Sequence, residues 1–319
     1  MSKSKHVNDP TRKIGPGLDT DVVEGDAELP LKRAEALQTP PISDEVAENR
    51  LAILNSPSYK LAETDVEFLQ RKENRPLRMQ LELLKTETLL SEHHIDATVV
   101  VFGGTQIMPR EQAEAVLREA KKNAQKLPGD PKVARALARA ERIVAKSHFY
   151  DEAREFARLV STAHEPDGRP KLYIMTGGGP GVMEAANRGA FEAGEKSIGL
   201  NIDLPHEQEP NPYITPDLCF QFHYFAMRKF HFILRAAALV VFPGGFGTLD
   251  ELFEMLCLRQ TRRMQQIPVI LYGRKYWDAI INFKQLADEG VVDDEDLKLI
   301  NYAETPEEAW QIIANFHGL

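Results

Sequence analysis

Cysteine is scarce in this chain: Cys219 and Cys257 are the two in 319 residues, far apart and outside any CxxC pair. That excludes a disulfide framework and a zinc ribbon, and makes a reducing compartment the default. Positive charge is also short, with 39 Lys and Arg against 48 Asp and Glu, a net −9. Without a basic tail or cluster, no nucleic-acid partner is expected, because phosphate backbones reward grouped Lys and Arg. Small anionic ligands stay open, since a local site can be positive on an acidic protein. No apolar run approaches the ~20 residues that a membrane helix needs. The opening residues, MSKSKHVNDPTRKIG, lack the apolar core of a secretory leader. The expectation is a cytoplasmic protein with no membrane partner.

What remains is ordinary for a globular chain, 43% hydrophobic and 27% charged. Residues 1–45 are rich in Pro, Gly and charge, show no period, and are expected to be a disordered tail. Residues 46–95 carry apolar positions at helical spacing, interrupted at Pro76, and read as a helical extension packed on the core. From 96 to 319, strands and helices alternate. ATVVVFGG, KLYIMTGGGPG, KSIGLNI, CFQFHYF, AALVVFPGG and IPVILYG read as strands. A charged, Ala-rich helical insertion at 110–146 breaks at LPGDP, and KYWDAIINFKQLADEG reads as a helical stretch. A final helix is expected from about residue 305. The pattern predicts an α/β fold: a Rossmann-like, doubly wound parallel sheet with helices on both faces and extra N-terminal helices.

Three glycine loops, at 103–104, 177–181 and 244–247, each follow a predicted strand and should gather at one sheet edge. Glycine lets backbone N–H groups turn toward a ligand. A helix starting right after the loop adds unpaired donors and a positive dipole end. Together these make an anion site, most often for phosphate. Gly177, Gly178, Gly179, Gly244, Gly245 and Gly247 are therefore candidates, and Thr248 can cap the helix or donate its hydroxyl to a phosphate oxygen. A dinucleotide fingerprint is broken, because Val182 stands where its third glycine belongs. No GK[ST] follows the glycines and GxSxG is missing, which disfavours a P-loop and a serine-hydrolase elbow. His223 and His231 have no metal-site spacing, and no metal or cofactor is expected.

Just past the third loop stand Asp250, Glu251 and Glu254. Acidic residues in a first helical turn commonly do no more than complement the helix dipole. Glu251 lies one turn beyond Gly247 and can face the ligand. A carboxylate there repels phosphate unless a cation or a reacting centre intervenes. Arg228 and Lys229 supply cations, although adjacent helix positions diverge and at least one is expected in solvent. Tyr224 and Phe225 can stack on a base or fill core.

PGGFGTLDE resembles the PGGxGTxxE signature of the LOG family, and AMRKF resembles its Arg–Lys element. MTGGGPGVMEAANRGA, GLNIDLPHEQEPNPY and RPLRMQLELLK resemble the longer bacterial branch, so that the resemblance spans about 60–319. It implies a phosphoribohydrolase that cuts the N-glycosidic bond of a nucleoside 5′-monophosphate, a cytokinin riboside monophosphate or AMP. It further implies Glu251 and Arg228 as catalytic residues. Gly177, Gly178, Gly179, Met227, Lys229, Gly244, Gly245, Gly247 and Thr248 are implied at the substrate. Glu184 and Asn187 follow as ribose or base contacts, or as a solvated helix face. A homodimer or larger homo-oligomer is implied as well. The competing reading is a carrier that binds a nucleotide or phosphorylated cofactor without cleaving it. A pyridoxal-phosphate decarboxylase is disfavoured, since Lys229 has no evident partner for the pyridinium.

Overall fold

The computed structural model describes residues 43–163, 171–205 and 209–319. Residues 1–42 of the expected tail lie outside these. The chain falls into two units, one ending at Leu69 and one beginning at Gln70. In the first, helix α1 (Asp44–Leu54) starts within the stretch expected as tail, because the Ser43 hydroxyl caps it by accepting from Val46 N at 3.4 Å. The short α2 (Val66–Leu69) follows, with Asp65 Oδ1 accepting from Phe68 N at 3.1 Å.

The second unit opens with α3 (Arg75–Glu92). Pro76 sits in its first turn and starts the helix rather than interrupting it, since proline's missing N–H costs nothing there. Next come β1 (Ala97–Phe102), α4 (Arg110–Lys126), α5 (Pro131–Lys146) and α6 (His148–Thr162). They are followed by β2 (Leu172–Thr176), α7 (Val182–Glu192), β3 (Ser197–Ile202), β4 (Cys219–Phe222) and α8 (Phe225–Leu234). The chain closes with β5 (Ala236–Val241), α9 (Phe246–Gln260), β6 (Val269–Tyr272), α10 (Arg274–Ile280), α11 (Phe283–Asp288), β7 (Ile300–Ala303) and α12 (Pro306–His317).

All seven strands are parallel, in the order β4-β3-β2-β1-β5-β6-β7. Helices cover both faces, as the Rossmann-like reading expects. Along β1 the side chains alternate. Val99 and Val101 join the cluster under α6, α7 and α12, while Val100 and Phe102 join the one under α3, α8, α9 and α10. Burial on both faces explains why this strand is a continuous apolar run. The chain runs outward from β1 to β4, then returns to place β5 on the other side of β1. The order therefore reverses at β1, and ligands on such sheets bind beyond the strand ends at that reversal.

Two further elements differ from expectation. β7, the INYA stretch, is a seventh strand that periodicity does not reveal, because its burial does not alternate: three of its four residues are half-buried and only Ala303 is buried. The KYWDAIINFKQLADEG stretch is two helices, because Asn282 Oδ1 accepts from Gln285 N at 3.0 Å and restarts the helix at Phe283.

Candidate active site

Loops after β1, β2 and β5 converge at the reversal. Gly104 N donates to Pro243 O at 2.8 Å, which ties the first loop to the third. Val182 N donates to Gly104 O, which ties the second loop to the first. Gly181 has φ +77°, and a β-carbon there would come within 2.3 Å of Gly104 O, so glycine is required both by conformation and by this close approach. Around these loops lies a cleft of about 390 Å³. Its walls include Gly104, Thr105, Gly177, Gly179, Gly245, Gly247 and Thr248, and its floor includes Arg228 and Glu251.

Helix α9 begins at this cleft. Gly245, not Thr248, occupies the cap position, and no side chain caps the helix. The first-turn N–H groups thus point to the opening without intrahelical partners. Thr248 lies inside the first turn and against Gly244, where a β-carbon would come within 2.1 Å of its hydroxyl. Tyr276 Oη donates to Gly244 O at 2.6 Å and fixes the loop from behind.

The Glu251 side chain is only 6% exposed, although the residue touches the cleft. Burial raises its pKa above the ordinary carboxylate value, opposed by the nearby charges of Lys229 and Arg228. Lys229 Nζ stands 3.2 Å from Glu251 Oε2, and 2.8 Å from both Asp250 Oδ2 and Glu254 Oε2. Burial works against the ammonium charge, but hydrogen bonds to Asp250 and Glu254, together with Glu251, outweigh it and raise its pKa. Arg228 Nη2 is 3.9 Å from Glu251 Oε1. Its guanidinium lies 5.5 Å from the Phe225 ring centre and 5.7 Å from that of Phe232. Burial lowers its pKa, with Glu251 and Asp250 opposing. Its Nε is buried and has no hydrogen-bond partner among the described residues.

The expectation that one of the two adjacent cations turns to solvent is not met. Both side chains are largely buried, at 14% and 17% exposure, and both reach α9. Their long stems bend toward the same acidic helix turn, which backbone direction alone does not reveal.

Other candidates stand away from the cleft. Asn187 is fully buried, and its amide is bonded to Thr176, Ser197, Ile198 and Asn211. It is not on a solvated helix face; it lies beneath the second glycine loop with both ends of its amide bonded. Glu184 Oε1 accepts from Tyr150 Oη at 2.7 Å and does not line the cleft. Met227 packs in the core cluster of its sheet face, and Gly178 sits behind the wall against Asn201. Sequence reasoning missed Thr105, Met183, Asn201, Leu204 and Phe246. For Asn201 a signal existed, a polar residue at the end of the apolar GLNI strand. Phe246, 91% exposed, had only its place between two loop glycines.

The α8 segment carrying Arg228 and Lys229 is held by α3. Glu82 accepts from the backbone N–H of His223 and Tyr224, at 2.8 and 3.3 Å. At the other end Glu87 pairs with Arg235 and with the buried His231. Burial lowers the His231 pKa, opposed by Glu87. No helix among the described residues is long and apolar enough to cross a membrane.

Residues 183–313 match the model of a family described as "Possible lysine decarboxylase". Among curated proteins, the pyrimidine/purine nucleotide 5′-monophosphate nucleosidase of Escherichia coli K12 is 31% identical over a match covering 34% of this chain and 26% of the relative. The chain thus spans about a quarter of the length of the curated relatives it matches. The molybdenum cofactor binding protein of Rippkaea orientalis is 22% identical over 53% of this chain and 88% of its own, with a TM-score of 0.37. The Moco carrier protein of Chlamydomonas reinhardtii is 18% identical over 70% of this chain and 98% of its own, with a TM-score of 0.41. Residues 183–313, which carry the third glycine loop, the Arg–Lys element and the acidic helix start, are thus similar to the family described as possible lysine decarboxylases, in keeping with the resemblance of these motifs to the LOG family.

Proposed function

We propose that this protein hydrolyses the N-glycosidic bond of a purine nucleoside 5′-monophosphate, giving free base and ribose 5-phosphate. The observation that carries the reading is Glu251, a buried carboxylate beside a cleft whose other walls suit an anion. The name of the E. coli relative supports the same reaction class. The cleft, at about 390 Å³, falls in the range of small-molecule sites, ~300–1,000 Å³.

The 5′-phosphate sits on the first-turn N–H groups of α9, near Gly247 and Thr248. The ribose then lies over Glu251. As the C1′–N bond lengthens, positive charge develops on the sugar, and its electrons leave with the base. Glu251 stabilises that charge or takes a proton from the water that bonds to C1′. The departing base nitrogen is protonated in turn. Lys229 and Arg228 hold Glu251 in place, and Arg228 keeps a free donor, Nε, at the site. Met183, Ile202, Leu204, Phe225 and Phe246 give the base an apolar wall compatible with AMP or an N6-prenylated analogue.

The test is to incubate the purified protein with AMP and, separately, with N6-prenylated AMP, then separate the products by chromatography. Free base with ribose 5-phosphate is expected, and the two rates rank the substrates. AMP binding without release from either would replace the hydrolase with a nucleotide carrier.

A further inference from the structure

The second glycine loop is held by a residue from a distant segment. Asn211, 6% exposed, donates from its backbone N to Gly178 O at 2.8 Å. Its side-chain Nδ2 reaches Gly178 O and Gly179 O, each at 3.1 Å, and Asn187 Oδ1 at 3.0 Å. Its Oδ1 accepts from Tyr213 N at 3.2 Å. The loop is gripped from the sheet side too, where Gly178 N donates to Thr176 Oγ1 at 3.0 Å and Thr176 Oγ1 donates to Asn187 Oδ1 at 2.7 Å. Gly178 itself has φ +74°, open to glycine at little cost.

These bonds fix a direction. No peptide bond among the described residues is cis, so the N–H of Gly179 points opposite to the carbonyl of Gly178. That carbonyl is turned to Asn211, away from the cleft. The Gly179 N–H has no acceptor among the described residues, and Gly179 lines the cleft. Buried backbone donors are almost always paired, so an unpaired one at a cleft wall is a place for a ligand acceptor. The next residue, Pro180, has no N–H, which makes Gly179 the donor at this turn.

We infer that Asn211 is a positioning residue for the proposed reaction: by holding the Gly178–Gly179 peptide, it presents the Gly179 N–H to the anionic end of the nucleotide, across the cleft from the start of α9. The inference rests on the proposed nucleotide ligand, but not on its cleavage. Asn211 touches no reacting atom. It acts through one peptide plane, and its effect should follow the phosphate rather than the base.

The experiment is calorimetric titration of AMP and of adenosine into the wild-type protein and into Asn211→Ala and Asn211→Asp. In both variants AMP affinity should fall about tenfold, the size of one hydrogen bond to a charged group, with adenosine affinity within about twofold of wild type. Unchanged AMP affinity, or equal losses for AMP and adenosine, would overturn the inference, because a merely structural residue has no preference for the phosphate. Should neither variant fold, wild-type protein labelled with [15N]glycine decides: the Gly179 amide resonance should shift with AMP and stay in place with adenosine, and a Gly179 amide unmoved by saturating AMP refutes the role. Wild-type protein that binds AMP without cleaving it defeats the hydrolase reading while leaving this prediction to stand or fall on the affinities. Wild-type protein that does not bind AMP defeats both.

Discussion

Lys229 Nζ and Glu251 Oε2 are 3.2 Å apart, and Lys229 touches two further carboxylates of the same helix start. Burial favours the protonated Glu251 carboxyl, and Lys229 is the largest influence opposing it. The sign follows. In the proposed reaction the working form is the carboxylate, so kcat should rise with pH through a value above the ordinary carboxylate range. Lys229→Met removes the main stabiliser of that carboxylate and leaves Glu254 to repel it. The acid limb of kcat against pH should then move to still higher pH. A limb that stays in place or moves down in the variant would show that Lys229 does not set the ionisation. The same shift bears on stability. Between the ordinary value and the raised one, the folded state holds more protons than the unfolded, so Glu251's contribution declines as pH rises through that window.

Glu251→Gln separates binding from chemistry. The amide is of similar shape, and Lys229 keeps Asp250 and Glu254 as partners, so the fold should persist. AMP affinity should hold within a few-fold. Turnover should fall by about 10²–10⁴, the range for losing a general acid–base group. Measuring both constants on one preparation suffices, and a fully active variant removes Glu251 from the mechanism.

Arg228→Ala takes away a guanidinium placed between the rings of Phe225 and Phe232, with a buried Nε that has no partner among the described residues. The expected result is a loss of at least about tenfold in kcat/KM, the size of one hydrogen bond to a charged group, with circular dichroism unchanged. Arg228→Lys should not restore it, because an ammonium cannot reproduce the planar set of donors. An unchanged kcat/KM in Arg228→Ala refutes the assignment.

Much of this arrangement is legible in the sequence because it is local. β1, β2 and β5 announce themselves as short apolar runs ending in glycine, and Glu251 sits one helical turn past its loop. What stays hidden depends on distant partners. Asn187 shares the helix after the second loop with Glu184, yet the strand beside it and Asn211 claim its amide completely. Lys229 should diverge from Arg228 on an isolated helix, but three carboxylates of α9 draw it back. β7 is a strand because β6 offers it an edge, not because four residues demand it.

Gly245 offers a substitution in which fold and ligand part company. A β-carbon added there meets nothing within 4 Å, and its backbone, at φ −101° and ψ −154°, is extended and open to any residue. Gly245→Val should therefore fold, with a melting temperature near that of wild type. Its side chain would nevertheless stand at the cap of α9, at the cleft wall where the proposed phosphate site lies. AMP affinity should drop by at least about tenfold, since a blocked approach removes hydrogen bonds to a charged group. Gly244→Val forms the contrast, because its β-carbon would strike Thr248 at 2.1 Å and should lower stability itself. If Gly245→Val bound AMP as tightly as wild type, the phosphate could not lie on this helix start, and the carboxylate one turn beyond would lose its sugar.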